Sequence, residues 1–222
     1  MFKLLSGGAM RPLLAEAVPR FERAANETVD VRFALTAALV NEIEAGAAFD
    51  LALLPRPELD ALAARGRVAA GTDIARSAVG LCVRAGAARP DIATVAALKQ
   101  ALVAARSLGY SDGPSGAYVT ELLGRLGLAE AMKSKVKLTS GPVAELVARG
   151  EAEIGIQQIV AILPVEGADL VGALPAELQS TIVYAAGASA RAANAGAARA
   201  LIAYLKTEEG ARIIRATGLQ PG

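Results

Sequence analysis

Short apolar runs that read as strands alternate with segments of helical period from residue 2 onward, and this alternation commits the chain to an α/β fold with a largely parallel sheet. Phe2 to Ser6 predicts the first strand. Past Ser6-Gly7-Gly8-Ala9, the residues Leu14, Ala17, Val18, Phe21, Ala24 and Ala25 recur at helical spacing, with Pro19 expected to kink the helix. Val29, Val31 and Phe33 alternate with Asp30 and Arg32 as a half-buried strand does. A helix through Leu39 and Ile43 ends at Gly46, a strand follows at Asp50 to Leu54, and a helix from Pro57 to Arg65 is closed by Gly66. These are three strand–helix units in succession.

A second α/β unit begins near Ala78. The pattern predicts a strand from Ala78 to Val83, a helix over Thr94 to Ala104, a strand at Ser107 to Tyr110 and a helix from about Ser115 to Leu126. It continues with a strand at Val136 to Leu138, a helix ending at Arg149 and strands at Glu153 to Gln157 and Thr181 to Ala185. Two helices close the chain, one over Asn194 to Lys206 and one capped by Thr207 with Glu208 and Glu209 in its first turn.

Composition removes whole classes of chemistry. The 222 residues include no histidine, which excludes histidine metal sites, serine–histidine and cysteine–histidine pairs and imidazole acid–base catalysis. No metal and no cofactor is expected. Lys plus Arg number 23 against 22 Asp plus Glu, so the chain offers no global field for nucleic acid or anionic lipid. The longest uncharged stretch, Leu178 to Ala190, falls far short of the ~18 apolar residues that span a bilayer, so no membrane insertion is expected. Met1 to Leu5 passes directly into Ser6-Gly7-Gly8 without the pattern of a leader peptide. The expectation is a cytoplasmic protein as the chain stands, or a periplasmic one if a leader has been removed. Cys82, the one cysteine, lies in the apolar run 78–83 and reads as a small buried hydrophobe.

In open α/β sheets, ligands bind beyond the carboxyl ends of strands, where loops feed helix N-termini. Four loops there share a composition: Ser6-Gly7-Gly8-Ala9, Thr36-Ala37, Ser111-Asp112-Gly113-Pro114-Ser115-Gly116 and Ser140-Gly141-Pro142. Each combines small side chains, hydroxyls and uncrowded backbone N–H groups, the chemistry an anion needs when no cation touches it. Singly, each also reads as an ordinary cap or turn. Their common position favours a small anionic ligand bound by Ser6, Gly8, Ala9, Thr36, Ala37, Ser111, Ser115, Gly116 and Gly141. Tyr118 offers its hydroxyl to such a ligand or stands as a half-buried structural tyrosine. Arg76 and Ser77, expected just ahead of a strand, face a cleft or solvent. Gln157 and Gln158 interrupt the apolar run 154–163, where buried amides need partners that a ligand can supply.

The order of these motifs resembles the molybdate-type, ModA-like branch of the type II periplasmic solute-binding proteins. The carrying segments are Leu4 to Ala9 with its helix, Leu39 to Leu53, Tyr110 to Leu128, Val143 to Ile156 and the C-terminal helical pair. Val147-Ala148-Arg149-Gly150-Glu151-Ala152-Glu153-Ile154-Gly155-Ile156 is particularly like the family's helix–turn–strand. The resemblance implies two lobes, 1–79 with 185–222 and 80–184, joined by two crossing strands around a ligand cleft that a hinge closes. It also implies an ABC transporter permease as partner if the protein is exported.

Where molybdate binders carry a ligand serine, a serine-rich turn and a tyrosine, this chain has Ala9, Leu35-Thr36-Ala37-Ala38 and Gln157-Gln158. An organic carboxylate fits these loops better than a metal oxyanion. The same branch is similar to cofactor-independent isomerases of the aconitate-isomerase kind, which shift a proton in an unsaturated di- or tricarboxylic acid. With no histidine, Asp112, Tyr118 and Arg76 are the groups left for such a step. Passive binding and catalysis both stay open.

Overall fold

The computed structural model describes residues 2–112 and 114–222, with all of their side chains except those of Pro114 and Ser115. Along the chain the elements are β1 (Phe2–Gly7), α1 (Arg11–Ala25), β2 (Val29–Ala34), α2 (Thr36–Glu44), β3 (Leu51–Pro55), α3 (Arg56–Ala64) and β4 (Thr72–Arg84). There follow α4 (Val95–Ala104), β5 (Leu108–Ser111), α5 (Pro114–Arg125), α6 (Ala129–Met132), β6 (Val136–Thr139), α7 (Val143–Ala148), β7 (Ile154–Gln158), α8 (Ile159–Ile162) and β8 (Ala168–Ala173). The chain ends with β9 (Thr181–Ala188), α9 (Ala195–Leu205), α10 (Glu208–Ala216) and β10 (Gln220–Pro221). It divides into two compact units, Met1–Ser77 with Ile182–Gly222, and Ala78–Thr181.

In the first unit the strand order is β2-β1-β3-β9-β4, with β10 against β4. β1 runs parallel to both β2 and β3, and β9 pairs antiparallel with β3. Burial explains each strand's composition. Central β3 is a continuous apolar run, whereas edge strand β2 sends Asp30 and Arg32 outward. Leu13, Leu14, Ala17, Val18 and Phe21 form the buried stripe of α1, which continues unbroken through Pro19. Asn26 closes α1 in the left-handed region at φ 52°, where a short polar side chain is tolerated. Thr207 caps α10 by accepting the Gly210 N–H at 3.1 Å.

The second unit orders its strands β4-β7-β5-β6, with β8 also on β4. β5 is parallel to β6 and β7, while β4 is antiparallel to β7 and β8. Its core gathers Leu81, Val83, Leu98, Leu108, Val119, Leu122, Ile154 and Ile156 on one face. On the other face, Cys82 packs with Ala144, Val147 and Ile162. Burial pushes the Cys82 thiol up to about 12, so it stays protonated and inert at neutral pH.

The short elements α6, α8 and β10 have no counterpart in the sequence pattern, and two longer strands also depart from it. Strand β4 starts at Thr72, so Arg76 and Ser77 lie inside it and not ahead of it. Thr72, Asp73 and Arg76 mask the strand signal there, and pairing with β10 supplies what the local pattern lacks. Strand β8 has no counterpart in the pattern; its residues are mostly half-buried and show no alternation.

One buried carboxylate ties three segments of the first unit together. Asp50, 4 % exposed, accepts the Lys3 N–H at 2.9 Å and the Asn194 N–H at 2.7 Å, while its own N–H donates to the Lys3 carbonyl at 2.9 Å. Burial pushes its pKa up, but the bonds from Lys3 and Asn194 outweigh that and hold it below the usual carboxylate range. In Asp50→Asn one of these N–H donors meets an amide NH2, and the unfolding free energy should fall by about 1–3 kcal/mol in urea titrations at pH 7. Because the folded-state pKa is the lower one, this stabilisation is complete above the unfolded value of ~3.9 and fades as pH falls through the folded value. The wild-type advantage over Asp50→Asn should therefore shrink in acid.

Close approach fixes one glycine. A Cβ on Gly116 would stand 1.6 Å from the Ser111 carbonyl oxygen, so only glycine lets α5 fold back on the end of β5. Gly116→Ala should cost about 1–3 kcal/mol or more, read as a lowered thermal midpoint, because backbone and not a flexible side chain must move.

Candidate functional site

Within the first unit, the carboxyl ends of β1 and β2 bring together Gly8, Ala9, Thr36 and Ala37. Gly8 to Met10 form a 3₁₀ turn leading into α1, and Thr36 opens α2. The two loops touch: a Cβ on Gly7 would lie 3.5 Å from the Thr36 Oγ1. A Cβ on Gly8 would meet nothing within 4 Å, so the backbone there is open to approach. Leu35 precedes α2 without a side-chain cap, which leaves the first N–H groups of that nine-residue helix unmet by any side chain of the cap residue. Ser6 stands apart from this group. It is wholly buried, and its Oγ donates to the Leu53 carbonyl at 3.2 Å, so its hydroxyl serves the strand pair β1 and β3.

Within the second unit, the carboxyl ends of β5, β6 and β7 bring together Ser111, Gly116, Gly141, Gln157 and Gln158. Pairing of Ser111 with Thr139, and of Gly109 with Gly155, aligns Ser111, Thr139 and Gln157 along one face of the sheet. Thr139 Oγ1 accepts the Gly141 N–H at 3.0 Å, which turns the loop into α7 and commits that amide internally. Asp112 is exposed, and its N–H extends the ladder to the Thr139 carbonyl at 3.0 Å. The Ser115 side chain, with Gly113, lies outside the described residues.

Gln157 has the most informative geometry. It is 7 % exposed, and its Oε1 accepts the Val143 N–H at 2.8 Å. That bond fixes the amide's orientation and leaves Nε2 as a donor, buried and without a partner among the described residues. A buried unmet donor costs about 1–3 kcal/mol, so such a group calls for an acceptor. Tyr118 is turned elsewhere: its hydroxyl donates to the Leu178 carbonyl, and burial raises its pKa. It is half-buried, and its hydroxyl stays protonated at neutral pH and bonded to that carbonyl.

Three features escape the sequence pattern. Gln179 brackets Val79, accepting its N–H at 2.7 Å and donating to its carbonyl at 3.0 Å. Ser77, expected from the sequence to face a cleft or solvent, is instead wholly buried, and its Oγ has no partner among the described residues. Arg11 lies with its guanidinium carbon 4.1 Å from the Phe33 ring centroid. Each depends on a partner distant in sequence or on burial, and no local spacing announces it. Among the described residues, no group of three or more acidic or cysteine side chains could hold a metal ion, and no helix is long and apolar enough to cross a membrane.

These features have counterparts in known proteins. The sequence profile of the bacterial extracellular solute-binding proteins matches residues 2–220. An aconitate isomerase from a Pseudomonas species is 34 % identical over 227 residues, covering 98 % of this chain and 87 % of that protein. Among solved structures, a substrate-binding domain assigned to a molybdenum ABC transporter from Clostridium difficile superposes with a TM-score of 0.86 at 18 % identity, covering 100 % of this chain and 98 % of that one. Peb3 of Campylobacter jejuni with L-phospholactate bound gives a TM-score of 0.69 at 15 % identity, covering 100 % of both chains. The mixed α/β fold is thus that of the periplasmic binding proteins, as the order of motifs implied. With the profile running over nearly its whole length, the chain belongs to the bacterial extracellular solute-binding protein family.

Proposed function

We propose that this chain binds a small organic polycarboxylate, with the Gln157 amide of the second unit as one of the donors that meet it. The observation that carries the reading is the Gln157 amide, whose oxygen is held by the Val143 N–H while its buried Nε2 awaits an acceptor. A carboxylate oxygen meets that need, and a bond from a neutral donor to a charged acceptor contributes about 1.5–3 kcal/mol. The helix-start amides of the first unit's loops suit the same charge. The relative named aconitate isomerase supports an organic acid over a bare oxyanion. As a receptor delivering its ligand, the protein would have an ABC permease as partner and work outside the cytoplasmic membrane.

A second reading, isomerisation by a proton shift in an unsaturated tricarboxylic acid, is favoured by the 34 % identity to the isomerase over almost the whole chain. The step removes a proton from a methylene carbon beside the double bond, moves the electron pair across three carbons and returns a proton at the far end. Asp112 is the exposed carboxylate among the candidate loops and so the stronger candidate base; the bonded, buried Tyr118 hydroxyl is the weaker.

Thermal-shift and calorimetric titrations with cis- and trans-aconitate, citrate, molybdate and sulfate separate these readings. Polycarboxylates should raise the unfolding midpoint and molybdate should not; tight molybdate binding would overturn the polycarboxylate reading. Gln157→Glu keeps the acceptor for Val143 but replaces the donor with an oxygen, so affinity should drop about a hundredfold at pH 7 and recover in part as the new carboxyl protonates in acid. Proton NMR of bound aconitate in deuterium oxide completes the set. Exchange at the methylene or vinyl carbon establishes the isomerase, and binding without exchange removes it.

A further inference from the structure

Several arginines of the first unit face carboxylates. Arg20 pairs with Glu16, Arg32 with Glu42, Arg56 with Asp60 and Asp73, and both Arg65 and Arg67 with Glu44. Arg11 forms no ion pair among the described residues and stacks instead on Phe33. A guanidinium parked on a ring keeps its edge N–H groups available for a planar, two-pronged grip on a carboxylate and loses less freedom when it makes one.

The position of this charge matters as much as its availability. Arg11 opens α1 directly after the turn Gly8–Met10, and its own N–H bonds to the Gly8 carbonyl. Phe33 stands opposite Ser6 in the β1–β2 register, one pair before Gly7 and Ala34. The cation is thus anchored at the carboxyl ends of the two strands that present Gly8, Ala9 and Thr36. Backbone amides and one hydroxyl can satisfy a single oxyanion; a fixed guanidinium beside them is what a second carboxylate requires.

We propose that Arg11, held on Phe33, is the carboxylate clamp of this unit and sets a preference for ligands with more than one carboxylate. The inference rests on the reading that these loops hold a carboxylic acid, and Phe33 acts in it as a positioning residue.

Calorimetric titration of the whole chain with trans-aconitate and with crotonate, which keeps one carboxylate and the double bond, tests it. Arg11→Gln should weaken trans-aconitate binding about ten- to a hundredfold and crotonate binding less than threefold, with an unchanged thermal midpoint. Arg11→Lys should fall between, because it keeps the charge but loses the fork. Phe33→Leu should weaken trans-aconitate by several-fold through loss of the platform alone. Arg11→Gln binding trans-aconitate within twofold of wild type overturns the clamp. Should that variant fail to fold, wild-type affinity in both Arg11→Lys and Phe33→Leu overturns it instead. A wild-type chain that binds no polycarboxylate defeats the reading of the site, and the clamp with it; wild-type binding with an indifferent Arg11→Gln defeats the clamp alone.

Discussion

Strand β4 supplies backbone hydrogen bonds to both compact units, and each sheet is organised by what pairs along its part of that strand. Its early residues Ala75 and Arg76 take up β10, while Val79 to Val83 take up β7, and Gly80 to Arg84 take up β8. Thirteen residues of uninterrupted strand place unusual demands on composition. Gly80 is required where a Cβ would meet the Gly172 carbonyl oxygen at 2.8 Å, and the Gln179 amide brackets Val79 where the strand enters the second unit. In β9, Tyr184 to Ala188 pair antiparallel with Pro55 to Leu51 inside the first unit.

The candidate loops follow from the parallel strands of each sheet. β1 and β2 end together in the first unit, and β5, β6 and β7 end together in the second, so every loop with small residues is delivered to a sheet end by register alone. Polar groups then divide into those spent on the scaffold and those left over. Ser6, Gly141 and Tyr118 bond inward, to Leu53, Thr139 and Leu178. Gln157 and Arg11 retain donors that the described residues of the scaffold do not use, and the functional reading rests on that remainder.

Much of the fold was legible because its signals are local. Gly46 and Gly66 end helices at positive φ, Thr207 caps α10, and the alternation in β2 marks an edge strand. Gln157 was legible too, since an amide set inside an apolar run must be desolvated and must find partners for its oxygen and its nitrogen. The fate of Ser6 and Tyr118 was not: their carbonyl partners lie 47 and 60 residues away in sequence, and a hydroxyl's partner cannot be read from its neighbours. β8 was hidden for a related reason. Its stability comes from pairing with β4, and its half-buried residues carry no period of their own.

The burial of Cys82 has a practical side. A thiol packed among Ala144, Val147 and Ile162 and held protonated is silent toward alkylating and disulfide reagents while the protein stays folded. A cysteine introduced on any exposed loop would therefore be the one position to take up a fluorophore or spin label, with no need to alter the native residue. The same thiol becomes a clock for opening of the second unit, since it reacts at the rate at which its core lets solvent in.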